Sequence, residues 1–143
     1  QRQMCIRDRY NLEGIVKIVG LLPHDECIKE QLACDSLVLI EGKGKGAEAF
    51  YTGKLFEYMN TNKPILALLP ENGVAAELVR ESNIGTVAAV DNVKEIKENI
   101  LYYYEQWCKG EIEYSPMREV VERYDRKKLT QRLSEVFDKI VRP

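Results

Sequence analysis

Ser36-Leu37-Val38-Leu39-Ile40, then Thr52-Gly53-Lys54-Leu55-Phe56-Glu57-Tyr58-Met59, then Pro64-Ile65-Leu66-Ala67-Leu68-Leu69 are the stretches whose reading decides the fold. Two short continuous apolar runs enclose a segment of helical period. That is the pattern of parallel strands buried on both faces and joined by a crossover helix. Thr52 can cap the helix through its hydroxyl, and Gly53 lets a ligand approach the backbone. Lys54 and Glu57 are spaced to project from one helical face. In open parallel sheets ligands sit beyond the carboxyl ends of the strands, where the loop 41–51 and the helix start at Gly53 must lie. A helix N-terminus there suits a phosphate, and Glu57 one turn in can accept ribose hydroxyls. The plain alternative for Lys54 and Glu57 is an exposed ion pair worth a few tenths of a kcal/mol.

Outward from this unit, Ile15 to Val19 is a β-branched run ended by Gly20, and Pro23, Asp25 and Glu26 open a helix to about Ala33. Beyond Leu69 the pattern predicts a helix over 74–82 with Ala75, Leu78 and Val79 inward, then a strand over 86–90. Asp91 is the expected N-cap of a long helix whose stripe is Val93, Ile96, Ile100, Tyr104 and Trp107, ended by Lys109 and Gly110. Met59 and Trp107 read as core, and Tyr102-Tyr103-Tyr104 as core plus surface. Tyr114-Ser115-Pro116 breaks the chain before a short helix with Val120, Val121 and Tyr124. A last helix follows with Leu129, Leu133, Val136, Phe137 and Ile140. Four strands alternating with helices predict an α/β fold, a Rossmann-like parallel sheet flanked by helices with C-terminal helices added.

With 143 residues and 45% hydrophobic content, one domain with a sizeable core is expected. The 21 basic and 23 acidic side chains nearly balance, so composition shows no footprint for nucleic acid or an anionic membrane. No apolar run approaches the roughly 20 residues of a membrane span, and no secretion signal is recognisable, so a cytoplasmic location is expected. Cys5, Cys27, Cys34 and Cys108 lack paired spacing and read as reduced, buried thiols. Gln1 to Arg9 are charged and aperiodic, and Met4 to Arg9 resemble the translated end of a sequencing adapter, so residues 1–9 are expected to be a non-native or disordered leader.

Gly42-Lys43-Gly44-Lys45-Gly46-Ala47 has the letters of a dinucleotide fingerprint, with Glu71 as the acid for a ribose, and an NAD-dependent oxidoreductase is the rival this raises. The fingerprint needs its helix to begin within the glycines, which would place Gly53 inside that helix at a cost of about 1 kcal/mol. A loop to about Tyr51 fits better. The single His24, beside Pro23 at a helix entrance, suits a capping neighbour, and no paired-imidazole or metal chemistry can be assembled from it.

Val19-Gly20-Leu21-Leu22-Pro23-His24, Ala33 to Leu39, Gly53 to Met59 and Lys63 to Ala67, taken together, resemble the C-terminal, donor-binding half of a GT-B glycosyltransferase, most similar to the family 4 retaining enzymes. The likeness covers most of the chain from Asn11 onward. It implies a Rossmann-like nucleotide-sugar-binding domain over 10–125 and a helix over 126–143 that packs on an N-terminal domain missing from this chain. It implies that Glu57 binds the donor ribose, that the backbone at Thr52 and Gly53 faces the diphosphate with Lys54 adding charge, and that Leu21 and Leu22 border the base. The family often carries a second Glu eight positions before the ribose ligand; Ala49 stands there in this chain, with Glu48 adjacent. The basic residues that clamp the diphosphate in the family lie near the start of this domain, in the part expected to be missing.

The expected function is therefore sugar transfer from a nucleotide-diphosphate donor to a glycan or lipid-linked acceptor. The fragment holds no assigned catalytic residue and is expected to be inactive alone. The sugar nucleotide is substrate, and no metal or other cofactor is required, because a helix N-terminus and cations can stabilise the leaving diphosphate. The full-length enzyme would sit at the inner face of a membrane at most peripherally, with no nucleic-acid partner. A nucleotide-sugar epimerase of GT-B fold and a non-catalytic α/β module are two further rivals to this reading.

Overall fold

A computed structural model describes residues 2–141. The chain divides into two compact units, the first ending at Glu30 and the second beginning at Gln31.

In the first unit, α1 (Arg2–Arg9) is helical, where the sequence suggests a non-native or disordered leader. Leu12 closes the helix end: its N–H donates to the Arg7 carbonyl, while its own carbonyl accepts from Ile15 and Val16. The β-branched run Ile15 to Val19 forms no strand, which corrects the four-strand expectation. A run of this composition becomes a strand only where an edge accepts its N–H and C=O groups, and its side chains here are exposed. α2 (His24–Ala33) runs across the division at Glu30, with Asp25 and Glu26 in its first turn where the helix dipole favours acids.

The second unit is an α/β structure. Among the described residues its sheet has three parallel strands, β1 (Leu37–Ile40), β2 (Ile65–Leu68) and β3 (Gly85–Ala88), in the order β1-β2-β3. Leu37 pairs with Ile65, and Ile65 with Gly85. The crossovers are α3 (Gly53–Met59), preceded by a 3-10 turn over Ala47–Ala49, and α4 (Val74–Glu81). One sheet face, with Leu37, Leu39, Ile65 and Ala67, forms the core with Leu55 and Met59 of α3 and Ala75, Ala76, Leu78 and Val79 of α4. The inward set expected for α4 and the core role of Met59 are as the spacing predicts.

α5 (Val93–Lys109) lies along β3 and β2. Its buried residue is Tyr103, not the expected stripe: Trp107 is 53% exposed and stacks with Tyr104, and Val93 and Ile100 are exposed as well. Aromatic residues line several faces of α5, so apolar spacing alone could not single out the inner one. Asn92, not Asp91, caps α5, accepting from the Glu95 N–H while its side-chain amide donates to the Glu95 carboxylate at 2.9 Å. Gly110, at φ 70°, ends the helix in the left-handed conformation.

α6 (Arg118–Arg123) returns to the core through Val120, anchored where Met117 N–H donates to the Ser82 carbonyl at 2.8 Å. α7 (Arg126–Val141) carries Leu129, Leu133, Val136, Phe137 and Ile140, all exposed. Cys108 is exposed and Cys27 and Cys34 are half-buried, so the fully buried thiols expected from composition are not found among the described residues.

Candidate functional site

α3 starts where the chain has passed the carboxyl end of β1, the edge at which open parallel sheets as a class hold their ligands. Leu55 is 0% and Met59 4% exposed, and these two fix the inner face of the helix. Phe56 packs between Tyr51 and Tyr124, with ring centroids 5.8 and 5.5 Å away, which ties α3 to its own approach loop and to the end of α6. At the far end Thr61 Oγ1 donates to the Tyr58 carbonyl and Asn60 Nδ2 to that of Phe56, both at 2.8 Å. Lys54 and Glu57 are left on the outer, exposed face.

Thr52 occupies the N-cap position with extended backbone, but its hydroxyl makes no capping bond, contrary to the capping expected from its type. Gly53 is exposed and a Cβ there would meet nothing within 4 Å. Among the described ion pairs none joins Lys54 to Glu57. The surface-pair alternative therefore lacks its pair, and both charges face solvent uncommitted. Leu21 and Leu22 belong to the first unit, Leu21 fully exposed and Leu22 half-buried.

The loop 41–52 leaves the carboxyl end of β1 and leads to α3. No helix begins at Gly44, as the dinucleotide fingerprint would need; α3 begins at Gly53. The 3-10 turn packs on the start of α4, so close that a Cβ on Gly73 would come within 3.1 Å of the Glu48 backbone. Glu48, the acid beside Ala49, is thus set by its own backbone, and its side chain is exposed.

Two features of this edge were not singled out by the sequence. Lys43 pairs with Asp91, joining the loop after β1 to the turn after β3. The other is Glu41, the residue directly after β1, whose N–H donates to the Leu68 carbonyl at 2.9 Å. Its Oε1 is buried without a hydrogen-bond partner. Burial raises its pKa above 4.5, opposed by the Thr52 backbone N–H. A charged residue immediately after a buried strand is the only signal that pointed to it.

A raised folded-state pKa contributes stability that is fully present below the unfolded value and lost as pH rises through the folded one. Glu41→Gln is accordingly expected to melt higher than the natural chain at neutral pH, with the difference vanishing below pH 4.5. Thermal melts of both forms across pH 4 to 7 check this; a variant that melts lower at pH 7 would show the carboxylate to be a net stabiliser.

Among the described residues, no group of three or more His, Cys, Asp or Glu is placed to hold a metal ion. No helix among them is long and apolar enough to cross a membrane. In comparisons with known proteins, no family model, no curated protein and no solved structure matches this chain.

Proposed function

We propose that this chain is the donor-binding domain of a GT-B glycosyltransferase, holding a nucleotide-diphosphate sugar for transfer to a glycan or lipid-linked acceptor. The observation that carries the reading is the division of α3. One side is locked into the core by Leu55 and Met59, and the other presents Glu57 and Lys54, uncommitted, one turn from a start at the carboxyl edge of a parallel sheet. Glu57 accepts the two ribose hydroxyls. The peptide groups at Thr52 and Gly53, with the Lys54 ammonium, face the diphosphate and stabilise the charge that develops on it as the sugar leaves. The acceptor and the remaining half of the site belong to an N-terminal domain, on which the apolar stripe of α7 packs.

UDP or GDP at millimolar concentration is expected to raise the melting temperature of the chain by mass action. Glu57→Ala is expected to cost about tenfold or more in affinity, since charge-assisted hydrogen bonds contribute roughly 1.5 to 3 kcal/mol. A thermal-shift titration decides it: an undiminished shift in the variant removes Glu57 from the site, and no shift with any nucleotide in the natural chain removes the proposal.

A further inference from the structure

The loop between β1 and α3 alternates glycine with lysine, Gly42-Lys43-Gly44-Lys45-Gly46, and with Ala47 and Phe50 it lines an open depression of about 480 Å³. Gly46 has φ 86°, which accounts for glycine there. Gly42 and Gly44 have neither a positive φ nor a neighbour within 4 Å of an added Cβ. Nothing in the fold itself calls for them. Their bare backbone leaves the peptide groups of the loop open to close approach from outside, which is what glycines in anion-binding loops do.

The lysines differ in their commitments. Lys45 and Lys54 form no ion pair among the described residues, whereas Lys43 is held by Asp91. That contact spans two loops, both beyond the carboxyl ends of strands, and its side chains are 53% and 69% exposed. Lys43 is the first cause of the lowered Asp91 pKa, so the carboxylate is charged and engaged. An exposed pair of this kind is worth little in water. A ligand bearing two or more negative charges outcompetes a single carboxylate for the same ammonium.

We infer that Lys43 and Lys45 clamp the diphosphate of the bound nucleotide and that Asp91 competes with the ligand for Lys43, holding the lysine aside when no ligand is bound. The inference rests on the site being a nucleotide-diphosphate site. It adds two cations from this chain's own loop and an internal competitor that tunes affinity. Binding exchanges one ion pair for another: the Lys43–Asp91 contact opens, Asp91 is released to solvent, and the ammonium moves to the phosphate oxygens.

The test is calorimetric titration at low salt with inorganic pyrophosphate and, separately, with UDP and GDP. The proteins are the natural chain, Lys43→Ala, Lys45→Ala, Asp91→Asn and the Lys43→Ala/Asp91→Asn double variant, each confirmed folded by its melting curve. Asp91→Asn is expected to tighten pyrophosphate binding about two- to fivefold, the range an exposed pair can supply. Lys43→Ala and Lys45→Ala are expected to weaken it by a similar factor, and all effects should shrink at high salt. In the Lys43→Ala background Asp91→Asn should change nothing. Unchanged or weaker binding in Asp91→Asn, or no binding of pyrophosphate to the natural chain, overturns the inference. Glu57→Ala separates the two claims. Nucleotide binding that needs Glu57 but ignores Lys43 and Asp91 sinks only the clamp. Pyrophosphate binding that follows Lys43 and Asp91, without a Glu57-dependent nucleotide effect, sinks only the transferase reading.

Discussion

Gly85→Ala is expected to lower the melting temperature of this protein by about 10 °C. The first residue of β3 lies so close to β2 that a Cβ there would sit 1.9 Å from the Ile65 carbonyl oxygen and 2.7 Å from its carbon and nitrogen. Those are backbone atoms in the middle strand of the sheet, paired on both sides, so they cannot swing aside as a side chain would. Relief must come from parting β2 and β3 where the ladder begins, at the hydrogen bond from Ile65 N–H to the Ile84 carbonyl, 2.9 Å long. Overpacking against an unyielding neighbour costs about 3 kcal/mol, which in a domain of this size is a shift of about 10 °C. Gly53→Ala is the control. It sits in open space at the first position of α3, where alanine is the better helix former, and its melting point should hold or rise slightly. Calorimetric melts of the two variants side by side check the pair; equal melting points would mean that β2 and β3 leave room for a methyl group at this position.

Leu55→Ala is expected to have an effect of the same size for a different reason. Leu55 is 0% exposed and lies in the cluster that joins α3 to Leu37 and Leu39 of β1 and to Ile65 of β2. Removing its isobutyl group gives up transfer free energy and leaves a cavity that a packed core closes only in part, together about 2 to 5 kcal/mol. On the outer face of the same helix, Glu57→Ala breaks no side-chain hydrogen bond or ion pair found among the described residues, and is expected to stay within about 0.5 kcal/mol of the natural chain. Denaturant melts give both values directly. A Leu55→Ala protein as stable as the natural one would contradict the packing of α3, whereas a large loss in Glu57→Ala would give that residue a structural duty it does not show.

The site residues differed in how far spacing alone could place them. Thr52 and Gly53 adjoin at the start of α3, and Lys54 and Glu57 are three apart on it, so local chain geometry keeps each pair together wherever the helix goes. Lys43 and Asp91 come together through the sheet: the ends of β1 and β3 are separated by β2, and only the parallel register sets their loops beside each other. Asp91 also shows how a local rule loses to a tertiary partner. Asp and Asn are comparable N-caps, and here Asn92 takes the cap while Asp91 pairs with Lys43 across the loop.

By itself the sequence determined what depends on neighbours along the chain: the apolar runs that became β1 and β2, the inward face of α4, the core role of Met59 and the end of α5 at Gly110. Those follow from period and turn chemistry. The tertiary structure alone decided what depends on distant partners. Ile15 to Val19 has the composition of a strand and no ladder, Trp107 has the character of a core residue and faces solvent, and Gly85 looks like ordinary punctuation until Ile65 is placed 1.9 Å from where its Cβ would be. Strand pairing, helix facing and close backbone contact are set by residues far apart in sequence, and no local pattern encodes which of them will meet.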